Sequence, residues 1–180
     1  MKNDNITKNN IMIENGRIGF RNFSGKEGKF NPAGRRNFCV FLDEETAINL
    51  IRDGWNVRWL EPKNEGDEKQ AYLQVTVSYE NIPPKIIIIS SKGKTVLNAE
   101  TVSLLDWVEI KEVDLIIRPY NWEVSGKFGV KAYIKSMYVT MVEDAFESKY
   151  YDVPDSATDA IGGCGNCETC SGDGHCKHGD

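Results

Sequence analysis

Histidine is nearly missing from this 180-residue chain, and the two it has, His175 and His178, lie close to its end. Residues 1 to 150 therefore offer no imidazole to activate a serine or cysteine, and acyl-transfer chemistry of that kind has no base to run on. Adjacent carboxylates such as Glu44 and Glu45, or Glu143 and Asp144, are neighbours in sequence rather than a spaced acid–base pair. Cysteine is equally scarce in that stretch: Cys39 stands alone, inside the apolar run Phe38-Cys-Val-Phe-Leu42, and reads as a small buried hydrophobe in a reducing compartment. No apolar run is long enough to span a bilayer, the longest being Ile86 to Ile89, and Met1 to Asn10 lacks the apolar stretch of a secretory signal. A cytoplasmic protein with no membrane partner is expected. A phosphate-binding loop is missing too, because Gly93-Lys94-Thr95 has Ile88 where the first glycine should stand, so it reads as a turn.

A surplus of positive charge is also lacking, since the formal net charge is −5. Its distribution matters more than its sum. From Tyr151 onward six acids face Lys177, which leaves residues 1 to 150 with 21 basic and 21 acidic side chains. The body is neutral, and its local patches decide what it can bind.

What the chain does have is a long hairpin. Val113 to Val124 and Lys127 to Lys135 flank Ser125-Gly126, which suits a two-residue turn. This predicts Val124 opposite Lys127, Trp122 opposite Gly129, Tyr120 opposite Lys131, Arg118 opposite Tyr133 and Ile116 opposite Lys135. Alternation then gathers Arg118, Tyr120, Trp122, Lys131, Tyr133 and Lys135 on one face, with Leu115, Ile117, Val130, Ala132 and Ile134 on the reverse. Aromatic rings among cations offer a single-stranded nucleic acid faces for its bases and charges for its phosphates. The same residues also suit a strand that is merely soluble.

A second basic cluster lies between Gly16 and Arg36, where Arg17, Arg21, Lys26, Lys29, Arg35 and Arg36 meet a single acid, Glu27, with Phe20, Phe23 and Phe30 between them. The strand from Ile11 to Phe23 changes apolar parity, from Ile11 and Ile13 to Ile18 and Phe20, so a bulge is expected at Asn15-Gly16. It places Arg17 and Arg21 opposite Ile18 and Phe20. Further on, a short buried strand covers 38–42, and Asp43 caps a helix over 44–53 that stops at Gly54. Strands follow over 55–60, 72–79 and 86–89, and Asn98 caps a short helix over 99–105. Five or six strands with one or two short helices make a mainly β protein and fit a Greek-key barrel better than a doubly wound sheet.

The run Val113-Asp-Leu-Ile-Ile-Arg-Pro-Tyr-Asn-Trp122, with Gly126-Lys-Phe-Gly-Val-Lys-Ala-Tyr133, Asn22-Phe-Ser-Gly25 and Glu143-Asp-Ala-Phe146, resembles the OB-fold single-stranded DNA-binding proteins of tailed bacteriophages. The resemblance covers residues 11 to 150, between a flexible segment 1–10 and an acidic, disordered Cys/His-rich tail 151–180. It implies a non-catalytic protein of phage replication or recombination in the host cytoplasm, with Arg118, Tyr120, Trp122, Lys131 and Tyr133 in the DNA groove and the loop from Lys26 to Arg36 beside it. Replication or recombination proteins would meet the acidic tail, and a homodimer is a further expectation. An OB barrel that binds protein, such as a phage-encoded inhibitor, is the alternative.

The tail holds Cys164, Cys167, Cys170 and Cys176 within a short, glycine-rich stretch. Thiolates at that spacing can close a tetrahedral set around one zinc ion, and His175 or His178 can replace one of them. The competing reading is a disordered tail with reduced thiols. The barrel itself is expected to need no cofactor.

Overall fold

The structure, a computed structural model, describes residues 9–143. The expectations for residues 1–8, for 144–150, and for the tail with its cysteines, acids and histidines lie outside the described residues. The described residues form eight strands: β1 (Ile11–Asn22), β2 (Arg36–Leu42), β3 (Val57–Leu60), β4 (Gln70–Val77), β5 (Lys85–Ser90), β6 (Gly93–Leu97), β7 (Ile110–Val124) and β8 (Lys127–Met141). One helix, α1 (Glu44–Arg52), follows β2, and a 3-10 turn, Val102–Asp106, precedes β7. Among the described residues no helix is long and apolar enough to cross a membrane.

The sheet order is β3-β4-β2-β1-β7-β8-β5-β6, and an extra pairing of β4 with β8 closes β4, β2, β1, β7 and β8 into a ring. That closure is parallel, Val75 with Ala132 and Thr76 with Tyr133, while the other pairings of the ring are antiparallel. A five-stranded ring with one parallel seam is the Greek-key barrel of the OB fold. Strict alternation fills it. Phe38, Val40 and Leu42 of β2 point inward with Ala71, Leu73, Val75 and Val77 of β4, and Val113, Leu115 and Ile117 of β7 meet Val130, Ala132 and Ile134 of β8. Each large side chain buried this way stabilises the fold by about 1.5–3 kcal/mol. Phe23 stacks on Phe38 at 5.1 Å, and Val102 and Leu105 of the 3-10 turn are buried in the same core.

The expected bulge in β1 is present. Asn15 has φ 49°, the register with β7 shifts between Ile13 and Gly16, and both Ile13 and Ile18 pack on the core. A second left-handed residue changes the rest of the strand. Phe20 has φ 48°, the register with β2 shifts between Gly19 and Asn22, and Phe20 is 63% exposed. The expectation that Phe20 shares the core side with Ile18 is therefore corrected, because the reversed backbone at Phe20 breaks the alternation on which it rested. Arg17 and Arg21 part company for the same reason.

Asp43 caps α1 as expected, its Oδ1 accepting from the Thr46 N–H at 2.8 Å. The Thr46 hydroxyl also donates to Asp43, at 2.6 Å, and this bond with the backbone one holds the carboxyl below its ordinary value. Two other expectations change. The helix placed over 99–105 is a shorter 3-10 turn that starts three residues later and ends one later, because the Asn98 side chain accepts from the N–H groups of Glu100 and Thr101 and holds that start as a turn. Gly93-Lys94-Thr95 is not only a turn: Gly93 (φ 120°) opens β6, which pairs back on β5 from Ser90 with Gly93 to Ile86 with Leu97. With β3, β5 and β6 outside the five-stranded ring, the described residues hold eight strands rather than five or six.

Candidate nucleic-acid interface

The arm formed by β7 and β8 has the register read from its sequence. Ser125 (φ 52°) and Gly126 (φ 78°) make the two-residue turn, and Val124 pairs with Lys127, Trp122 with Gly129, Tyr120 with Lys131 and Arg118 with Tyr133. The fifth pair is corrected. Ile116 faces Ser136, Ile117 faces Ile134, and Lys135 is the extra, exposed residue of a bulge. The bulge divides β8 into a half that pairs with β4 and a half that pairs with β5, two partners whose demands a straight strand does not meet.

On the arm's cationic face Tyr133 is the centre. The Arg118 guanidinium and the Lys131 ammonium each lie 5.2 Å from its ring centroid, and Tyr120 meets it edge-on at 5.7 Å. Neither cation has a carboxylate partner among the described residues. Trp122 is held by an absence: a Cβ on Gly129 would stand 2.8 Å from the indole, so glycine is what lets the ring lie across the partner strand. Ala132 and Tyr133 of β8 pair with β4 and Val130 bridges Trp55, so Lys127–Gly129 project beyond the closure by about 10 Å. Between this projection and β4 lies a cleft of about 210 Å³ lined by Asn56, Gln74, Thr76, Trp122 and Lys131, with core residues beneath.

Pairing carries this surface across the barrel. Thr76 joins Tyr133 on one side and Asn37 on the other, giving a row Arg118, Tyr133, Thr76, Asn37 over four strands. Four residues earlier on β4, roughly 13 Å away, Tyr72 joins Phe41 and Arg58, and Phe41 joins Arg17. This second row reads Arg58, Tyr72, Phe41, Arg17. The Arg17 guanidinium lies 5.5 Å from the Phe41 centroid, and its Nη2 donates to Gln70 Oε1 at 3.0 Å. Phe20 joins them, 6.2 Å from Phe41 and 6.4 Å from Tyr72. Here too a glycine seats a ring, since a Cβ on Gly19 would come within 2.7 Å of Phe41. The sequence reading missed Phe41, Tyr72 and Arg58 as surface groups, although the alternation of Tyr72, Gln74 and Thr76 marked β4 as half exposed. Phe41 was hidden by treating β2 as wholly buried.

The remaining basic residues gather at the other end of the barrel, and their surroundings differ. Arg21 Nη1 donates to the carbonyls of Leu105 (2.9 Å) and Val108 (2.8 Å), and Arg36 Nη2 to that of Ala99 (3.0 Å). Arg36 also lies over the Tyr79 ring at 5.5 Å, and burial raises the Tyr79 hydroxyl's pKa. Lys26, Lys29 and Arg35 are exposed on the loop between β1 and β2. Thus the fold brings Arg17, Arg118, Tyr120, Trp122, Lys131 and Tyr133 to one surface, and sets Arg21 and Arg36 into the framework. Cys39 lies between the two rows, facing Gly19 and Gln74; burial pushes its thiol up to about 11 against the opposing charge of Arg58. Among the described residues no group of three or more His, Cys, Asp or Glu side chains converges on a metal-sized site.

A closed five-stranded barrel whose outer face and projecting hairpin interleave rings with cations defines the class: an oligonucleotide-binding barrel suited to single strands. The chain belongs to the family described as "Putative phage ssDNA-binding domain", whose sequence pattern matches residues 1–171. Among solved structures, the single-stranded DNA-binding protein from bacteriophage Enc34 in complex with ssDNA matches with a TM-score of 0.51 at 12% identity, covering 75% of this chain and 88% of that one. A further structure, of the single-stranded DNA-binding protein from bacteriophage Enc34, gives 0.49 at 14% identity, covering 79% and 90%. At 12% identity the likeness to the complex is one of fold. No curated protein matches the chain.

Proposed function

We propose that this chain is a non-catalytic single-stranded DNA-binding protein that lays its ligand across the two rows, in the groove between the arm and β4. The observation that carries the reading is the register itself, which sets Arg118 and Tyr133 at one end of a continuous outer face and Tyr72, Phe41 and Arg17 at the other. Bases stack on Tyr120, Trp122, Tyr133, Phe41 and Tyr72, at about 1–3 kcal/mol per base, and Arg118, Lys131, Arg17 and Arg58 follow the phosphates. Lys26, Lys29, Arg35 and Lys135 flank that path and attract the strand at longer range. The non-catalytic reading is supported by a body without histidine and by a Cys39 thiol that stays protonated near neutral pH.

The role is in phage replication or recombination, in the host cytoplasm. The acidic tail recruits replication or recombination proteins, the barrel works as a homodimer, and Cys164, Cys167, Cys170 and Cys176 hold one zinc ion. Elemental analysis of protein purified without chelator tests the last point, and metal well below one equivalent ends it. For the main reading, the experiment is a titration with fluorescent oligothymidylate at several salt concentrations. Tight binding that weakens steeply with salt supports it, and no binding at low salt overturns it.

A further inference from the structure

Trp107 follows the 3-10 turn and is the most exposed of the chain's four tryptophans, at 75%. Its backbone is nevertheless held firmly. Asp106 accepts from the N–H groups of Phe23 (2.7 Å) and Ser24 (2.9 Å), and Arg21 ties the carbonyls of Leu105 and Val108 on either side. Folding has fixed a large apolar ring in water, at a place where its own core does not use it.

The ring is not isolated. Lys26 Nζ lies 4.9 Å from its centroid. Lys26 is itself fixed, its N–H donating to Asn22 Oδ1 (2.9 Å) and its carbonyl accepting from Asn22 and Asn31 side-chain amides (3.0 Å each). Asn31 Oδ1 in turn accepts from Asn37 Nδ2 at 2.8 Å, and Asn37 ends the row that starts at Arg118. A chain of hydrogen bonds therefore connects the outer face with the Trp107–Lys26 pair. Nearby on the same loop, Phe30 is 90% exposed with Lys29 5.2 Å from its centroid.

We propose that Trp107 and Lys26 form a second nucleotide station at the end of the barrel, reached by a strand that runs off the main face past Asn37. A base stacks on the open side of the indole, and Lys26 turns its ammonium from the ring to the adjoining phosphate. This inference rests on the single-strand reading above. A nucleic acid suits the patch better than a protein because its cations Lys26 and Lys29 outnumber the loop's one acid, Glu27, while Asp106 beside Trp107 has both oxygens occupied by backbone N–H groups.

The test compares full-length parent, Trp107→Ala, Trp107→Phe and Lys26→Ala on two oligothymidylates, one of about 4 and one of about 16 nucleotides, which bracket the usual site sizes. Trp107→Ala is expected to bind the long strand about 5- to 150-fold more weakly and the short one like the parent, with Trp107→Phe between them. Lys26→Ala should lower the salt slope by about 0.7 for the long strand alone. Equal long-strand affinity in parent and Trp107→Ala overturns the station and leaves the patch as a protein-binding surface. Equal losses on both lengths overturn it as well, since Trp107 would then belong to the main face. If the parent binds neither oligonucleotide, the single-strand reading itself falls. Thermal melts of the three variants should match the parent, because the substituted side chains are exposed.

Discussion

The arm and the closed end of the barrel are built from the same residue types and use them in opposite ways. On the arm, Arg118 and Lys131 rest against the Tyr133 ring with no carboxylate or carbonyl among the described residues to hold them. At the closed end, Arg21 and Arg36 spend their guanidinium donors on three backbone carbonyls. The difference lies in the backbone around them. Strand carbonyls on the arm are consumed by the β7–β8 ladder, whereas the segment from Ala99 to Val108 is irregular and leaves carbonyls in need of donors. Arginine beside a ladder stays available to a phosphate. Arginine beside a loop becomes part of the frame.

The largest effect that would test this contrast is at the frame. Asp106→Ala strips the acceptor from two backbone N–H groups and should cost about 3 kcal/mol in urea denaturation. A variant as stable as the parent would mean that the closed end is not held as described. Next come the arm's rings. Gly129→Ala should unseat Trp122, and Tyr133→Ala should remove the centre of the cationic cluster; each should weaken oligothymidylate binding by about 1–3 kcal/mol while the urea midpoint stays near the parent's. Unchanged affinity in both would move the ligand off the arm.

A smaller and sharper comparison sets Lys131→Ala against Arg36→Ala. The sequence sets Lys131 in the groove and Arg36 beside it, so by sequence alone either substitution should lower the salt slope. With Arg36 bonded to Ala99, the slope should fall by about 0.7 for Lys131→Ala, while Arg36→Ala shows itself mainly as lost stability. Equal slope changes would erase the distinction between free and framed cations. The smallest effect concerns Cys39, whose thiol rises from 9.0 to about 11 on folding. Below pH 9 the thiol is protonated in both states and the fold is unaffected. Between pH 9 and 11 the unfolded chain loses its proton first, so stability falls as pH rises. Cys39→Ala should therefore have a shallower decline over that window, and an identical decline would show that the thiol is not buried in solution.

Much of this was legible because strand periodicity is local. The alternation in 113–124 and 127–134, with a two-residue turn between, specified the arm's register and sorted its rings from its core side chains, and only the extra residue at Lys135 escaped. That bulge exists because β8 changes partner from β4 to β5, which no stretch of 113–141 can announce. The parity switch in β1 likewise announced the bulge at Asn15, but Phe20 carried no such signal, since a phenylalanine at positive φ is something only its surroundings can enforce. The acidic residue at 43 and the glycine at 54 bounded α1 by capping chemistry alone.

The second row is the clearest case of what sequence cannot hold. Arg17, Phe41, Tyr72 and Arg58 are scattered over 56 residue positions and meet only because β1, β2, β4 and β3 lie side by side. The same holds for Arg21, which looked like one more surface cation until the 3-10 turn and the segment after it placed the Leu105 and Val108 carbonyls against it. Which way a side chain faces within one strand is decided by neighbours two residues apart, and the sequence by itself determined that. Which side chains share a surface, and whether a charge there is free or already spent, depends on closing β4 onto β8, a contact between residues some 57 positions apart that only the tertiary structure decided.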